Sequence, residues 1–144
     1  LDDDAIETLC KGMIRGSAHL TRLDLADNSE IGPLGAKHIA EMLSGHRALR
    51  RLSLAWTSLG DAGVAEIARV LSDSIAPLRR LKLASCGMKD AGAAALGSSL
   101  APNTTLRELS LTGNTVTAAG AIVIAGSLAT NGALRTLDVS ECPL

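Results

Sequence analysis

Phenylalanine and tyrosine are absent from this chain, and tryptophan occurs once, at Trp56. With one ring system there is no row of aromatics on which nucleic-acid bases could stack, so the core must be filled by aliphatic side chains and alanine. A charge excess is missing too: 14 basic residues face 15 acidic ones, a formal net charge of −1. No whole-molecule field therefore draws the chain to nucleic acid or to an acidic membrane. Cysteine is scarce and odd in number, three in 144 residues, which argues against a disulfide framework and for reduced, structural thiols. The longest apolar stretch, 118–129, is interrupted by Gly120 and Gly126 and is too short to span a bilayer. No stretch reads as a signal peptide.

Chemistry-bearing constellations are missing as well. No Ser-His-Asp, Cys-His or paired-carboxylate arrangement recurs at positions that the chain's periodicity would bring together. His19, His38 and His46 fall in unrelated positions, none at ligand spacing from a cysteine, so no metal site is expected. The pairs Gly32–Gly35 and Gly60–Gly63 are not followed by Gly-Lys-Ser/Thr and read as turns rather than a phosphate cradle. The sequence predicts no cofactor and no enzyme.

Leucine, by contrast, is abundant and periodic. The frame L-x-x-L-x-L starts at Leu20, Leu49, Leu78, Leu106 and Leu134, in steps of 29, 29, 28 and 28 residues, with Val139 as its last member in the fifth copy. Alternation over a few residues marks a short strand with one buried face. Identical strands recurring with a connector between them run parallel. Units this small bury an apolar face only by stacking on their neighbours, so the period predicts a solenoid. Three residues past each frame stand Asn28, Thr57, Cys86, Asn114 and Cys142, small or polar residues that can satisfy the main chain of a bend.

Between strands the period becomes helical. Gly35, Gly63, Gly92 and Gly120 precede the stripes Ala36/Ile39/Leu43, Val64/Ile67/Leu71, Ala93/Leu96/Leu100 and Ala121/Ile124/Leu128, each one face of a helix of roughly three turns. Pro33, Asp61, Asp90 and Ala118 are the expected first helical residues, behind Gly32, Gly60, Lys89 and Thr117 as caps. Gly45, Asn103 and Asn131 are the expected stops, each able to take a left-handed conformation at a helix end. Residues 4–16 carry a further helix with Ile6, Leu9 and Met13 inward and Cys10 in a small inward slot. The first repeat has an extra residue between Asn28 and Leu34, which predicts a local bulge. Asn103-Thr104-Thr105 fits a glycosylation sequon, but the same residues read as a helix stop. The expected organisation is one domain, 1–144, of about five repeats, a fragment of a longer array without polar end caps.

The pattern L-x-x-L-x-L-x-x-N/C-x-L with a 28–29-residue period resembles the leucine-rich repeat superfamily, and within it the ribonuclease-inhibitor-like subfamily; Thr57 and the near absence of aromatics depart from the usual pattern. The resemblance covers the whole chain. It implies a right-handed α/β solenoid, a horseshoe with parallel strands on the concave face and helices on the convex face. It also implies protein recognition, as in inhibitors, Ran-type GTPase activators, immune receptors and cytoskeletal or ciliary scaffolds. For the GTPase-activator alternative, the strand-exit residues Asp27, Asn28, Trp56, Thr57 and Ser85 are the candidates.

Stacking makes the exposed strand face legible as columns about 4.8 Å apart. These read Thr21, Arg50, Arg79, Arg107, Arg135; then Arg22, Arg51, Arg80, Glu108, Thr136; then Asp24, Ser53, Lys82, Ser110, Asp138; and last Ala26, Ala55, Ala84, Thr112, Ser140. More than half of the 14 basic residues thus gather on one surface, where aligned like charges repel by roughly 1 kcal/mol per pair even in water. Self-neutralisation by Glu108, Asp24 and Asp138 is one account; docking of an acidic protein partner is the other. Trp56, at a strand exit beside the ridge, is read either as a packing residue or as an interface anchor. The partner-binding candidates are Arg22, Arg50, Arg51, Trp56, Arg79, Arg80, Lys82 and Arg107. The function expected is a non-enzymatic interaction or scaffold segment in an intracellular, cytoplasmic setting, part of a longer chain or larger complex, with no nucleic-acid or membrane partner. A Ran-type GTPase activator and a purely structural spacer are the alternatives.

Overall fold

The computed structural model describes residues 1–16, 19–74 and 76–144. Helices and strands alternate as α1 (Asp3–Gly16), β1 (Arg22–Asp24), α2 (Pro33–Gly45), β2 (Arg51–Ser53), α3 (Gly60–Ser72), β3 (Arg80–Lys82), α4 (Asp90–Leu100), β4 (Glu108–Ser110), α5 (Ala118–Leu128) and β5 (Thr136–Asp138). The strands form one parallel sheet in chain order. Each pairs with the next at equivalent frame positions, so that Leu23, Leu52, Leu81, Leu109 and Leu137 lie in one register row. The helices stack in a second layer, each against its sequence neighbours. This is a right-handed α/β solenoid, the sense that parallel crossovers take.

Between the layers lies a continuous aliphatic core. Leu49, Leu54, Leu78, Leu81, Leu83, Leu106 and Leu111 are excluded from solvent, as are Ile39, Ile67 and Leu96 on the helical side. Burying each such side chain stabilises the fold by roughly 1.5–3 kcal/mol. The fifth unit is less covered: Ala121, Leu128, Leu134, Leu137 and Val139 are half-buried.

The structure amends several local expectations. In α1 the inward stripe is Ile6, Cys10 and Met13, while Leu9 is 36% exposed. At roughly 100° per residue Ile6 points between Cys10 and Met13, and Leu9 lies beyond Met13 at the rim of that face. Helix α3 starts at Gly60 instead of Asp61. Gly60 adopts a φ of 57°, and its N–H donates to the Cys86 carbonyl in the next repeat at 2.9 Å. The expected bulge is present as a tighter bend in which Ile31 N–H donates to the Asn28 carbonyl.

Gly45, Asn103 and Asn131 do not end their helices in left-handed conformations, since none is among the positive-φ residues. The two asparagines act through their side chains. Asn103 is 2% exposed; it donates to the Leu71 carbonyl of the preceding repeat and accepts from the Thr105 and Leu106 amides. Asn131 donates to the Leu100 and Asn103 carbonyls and accepts from the Ala133 and Leu134 amides. His46 occupies the same slot, its Nδ1 accepting from Leu49 N–H, so its position is not unrelated to the repeat. The sequon asparagine is therefore consumed by buried hydrogen bonds.

A second ladder joins helix starts across repeats. Asp3 accepts from Gly32 N–H, Asp61 from the amides of Lys89 and Gly92, and Asp90 from Thr117 and Gly120. Each aspartate in a first helical turn caps the next helix as well as favouring its own. The entry glycines make room for this: a Cβ on Gly92 would lie 2.7 Å from Asp61 Oδ1, and one on Gly120 2.6 Å from Asp90 Oδ1. Helix α3 lacks such a cap because Pro33 stands where the preceding aspartate would be.

Candidate functional site

Three-residue strands present two polar side chains for every buried leucine, and the parallel register aligns them into rows. Arg22, Arg51, Arg80, Glu108 and Thr136 form one row; Asp24, Ser53, Lys82, Ser110 and Asp138 form the other. The strand-entry arginines lie beside the first row. Arg22, Arg50, Arg51, Arg79, Arg80 and Arg107 line one groove of about 550 Å³ together with Thr21 and Glu108. Lys82 belongs to the adjoining surface with Arg22, Arg51 and Arg80. The structure thus gathers every basic residue singled out from the sequence on the concave face.

Their environments differ. Arg80 Nη2 donates to Glu108 Oε1 at 2.6 Å, and its Nε lies 2.5 Å from Oε2. This bond, and secondarily the fields of Arg80, Arg51 and Lys82, holds the Glu108 carboxyl below its ordinary range, while the same bond raises the Arg80 guanidinium. Arg50 and Arg107 are tethered at the strand entries: Arg50 Nη1 donates to the Arg47 and Leu49 carbonyls, Arg107 Nη1 to those of Thr104, Leu106 and Ala133. Arg22, Arg51 and Arg79 are exposed, and among the described residues no hydrogen bond or ion-pair contact engages their side chains. Neutralisation within the face is therefore local to Arg80. Asp24 and Asp138 turn to their own strand exits, accepting from Ala26 N–H and from the Ser140 amide and hydroxyl.

Trp56 is 61% exposed, so it is not a packing residue. It occupies the position at which every repeat leaves its strand in the left-handed region: φ is 60° at Asp27, 59° at Trp56, 48° at Ser85, 69° at Gly113 and 58° at Glu141. Glycine accepts that conformation freely, whereas a bulky residue there is an outlier at a cost of about 1–2 kcal/mol. Trp56 N–H still pairs with the Ala84 carbonyl at 2.9 Å. Its ring borders a second depression of about 570 Å³ floored by Ala55 and Ala84 and edged by Lys82, Thr112 and Asp138.

Four stretches, residues 16–40, 46–68, 76–97 and 103–125, match the sequence model of the leucine-rich repeat. The chain belongs to the leucine-rich repeat family. No curated protein matches it across the sequence. Among solved structures it is similar to one described as leiomodin-1 actin-binding site 2, with a TM-score of 0.82 and 21% identity over 90% of this chain and 76% of that one. At that identity the likeness shows the fold alone.

For a leucine-rich repeat the turn residues are also explained. Asn28 donates to the Leu25 and Ala26 carbonyls, Thr57 to Leu54, and Asn114 to Leu83 and Leu111 while accepting from the amides of Cys86 and Met88. Asn28 and Thr57, candidates under a GTPase-activator reading, are thus committed to the turns. Burial pushes the thiols of Cys10 and Cys86 up to about 11. Among the described residues no group of three or more His, Cys, Asp or Glu could hold a metal ion, and no helix is long and apolar enough to cross a membrane. The sequence reading missed the anchoring of Arg50 and Arg107, which depends on where carbonyls end up at the strand entries, and the aspartate ladder, whose signal was the recurring Asp-Ala-Gly at 61–63 and 90–92.

Proposed function

We propose that this leucine-rich repeat segment is a non-enzymatic protein-binding module that docks an acidic partner on its concave face, with Trp56 as the anchor at the strand-exit edge. The observation that carries the reading is Trp56: a large ring, mostly exposed, held in a backbone conformation that glycine would occupy without strain. Strain of this kind persists where surrounding structure over-determines it, and tryptophan and arginine are among the residue types most enriched in binding hot spots. The arginines supply complementary charge for steering and register. Within the family the 28–29-residue period and helices of 11–13 residues favour the ribonuclease-inhibitor-like type and, with reduced thiols, an intracellular, cytoplasmic setting. Ile122, 71% exposed, and the half-covered fifth unit are read as the surface on which a further repeat of a longer array stacks.

The test compares captured proteins from native extract for wild type, Trp56→Gly, Arg51→Glu/Arg79→Glu and the helix-side control Lys37→Glu. Arg51 and Arg79 are chosen because reversing Arg80 would set a glutamate against Glu108 and disturb the sheet. A partner retained by wild type and the control should be lost or weakened by at least about 2 kcal/mol in the Trp56 variant, while all four proteins stay folded. Actin belongs among the purified proteins assayed, given the name of the structural match. Loss of binding with Lys37→Glu and not with the concave variants would place docking on the helical side and refute the proposal.

A further inference from the structure

We propose that the arginine groove is a phosphate-recognition site, selecting a phosphoserine- or phosphothreonine-bearing segment of the protein partner; this rests on the reading of the concave face as the docking surface. The argument is one of charge and valence. A carboxylate has one charge and two oxygens, and a single guanidinium is enough to pair with it, as Arg80 does with Glu108 through a hydrogen bond from Nη2 and a close ion-pair contact at Nε. A phosphomonoester carries nearly two charges and three terminal oxygens, so it calls for two forks side by side. The sheet register supplies that arrangement, with Arg22 next to Arg51 and Arg51 next to Arg80 at the strand spacing of about 4.8 Å.

After Glu108 has been matched, Arg22, Arg51 and Arg79 carry no hydrogen-bond or ion-pair contact among the described residues. Arg50 and Arg107 commit Nη1 to carbonyls, which leaves other donors of a five-donor fork. All six basic residues lining the groove are arginine, the residue whose planar fork matches phosphate oxygens in pairs, and the face's one lysine, Lys82, lies in the neighbouring row. A volume of about 550 Å³ admits a phosphorylated side chain with its flanking main chain. Nucleic acid fits less well, because no aromatic residue lines the groove on which a base could stack.

Fluorescence anisotropy with labelled peptides of equal length tests this: one bearing two phosphoserines, one bearing glutamates of equal total charge, and the unmodified serine peptide, with a single-stranded oligonucleotide alongside. The expected result is phosphopeptide binding at least about tenfold tighter than the glutamate peptide. Arg51→Lys/Arg79→Lys, which keeps the charge and removes the forks, should collapse that preference, and Arg51→Glu/Arg79→Glu should abolish binding, with melting temperatures unchanged. Equal binding of the phosphoserine and glutamate peptides overturns phosphate selection while leaving the acidic-partner reading in place. Preference for the oligonucleotide, an unaltered preference in the lysine variant, or no binding of the phosphopeptide overturns it too. The capture experiment with Trp56→Gly then decides the wider reading on its own.

Discussion

Asn114 should be the most consequential polar residue in the solenoid, and replacing it by alanine tests the ladder of turn side chains directly. Its amide donates to the Leu83 and Leu111 carbonyls at 2.6 and 2.7 Å, and its Oδ1 accepts from the amides of Cys86 and Met88, both at 3.1 Å. The residue is buried, so Asn114→Ala strips two main-chain amides of their acceptor and two carbonyls of a donor where water has no ready access. A buried donor left unsatisfied costs roughly 1–3 kcal/mol, which puts the total near 4 kcal/mol, a large share of a typical domain stability of about 5–15 kcal/mol. Asn28 stands in the same repeat position but is half-buried: it donates to the Leu25 and Ala26 carbonyls, and its Oδ1 takes the exposed Leu1 amino group instead of buried main-chain amides; Asn28→Ala should cost about 1 kcal/mol. Thr57, with its one bond to Leu54, should behave like Asn28. Urea unfolding followed by circular dichroism measures all three. If Asn114→Ala came within about 1 kcal/mol of Asn28→Ala, the cross-repeat bonding of the turn would not be what holds adjacent repeats together.

Leu83→Asp places a charge in a site closed to solvent and should unfold the array, whereas Cys86→Asn, which restores a side chain common at that slot, should be mild; similar melting of the two would refute the assignment of strand and turn. The Thr117 hydroxyl and amide hold the Asp90 carboxyl below its ordinary value of 3.8, so the folded state binds fewer protons there than the unfolded one. The capping contribution is therefore complete above pH 3.8 and lost as pH falls through the depressed folded value; Asp90→Asn should flatten acid unfolding in that window, and an unchanged acid profile would discount the cap. With the Cys10 and Cys86 thiols pushed up to about 11 by burial, an aromatic disulfide reagent at mildly alkaline pH should titrate Cys142 first, and rapid reaction at two or three sites in the folded protein would contradict their burial.

Much of the molecule follows from spacing alone. A leucine frame at a fixed step specifies parallel strands, their register and the columns of side chains they display, because a repeated unit can bury its apolar face only against an identical neighbour. Hence the arginine rows, the buried stripes and the entry glycines were legible as positions. What those positions do was decided by neighbours that the spacing does not name. Asn103 and Asn131 looked like helix stops in αL and instead bridge repeats, since the acceptors Leu71 and Leu100 lie one turn of the solenoid away. Arg50 and Arg107 read as free concave charges but are half bound to carbonyls. Trp56 is a choice between core and surface in the sequence; the left-handed exit of its strand turns the ring outward. Local sequence fixes what recurs along the chain, while hydrogen-bond partners and exposure depend on atoms about 28 residues distant, which only stacking brings within reach.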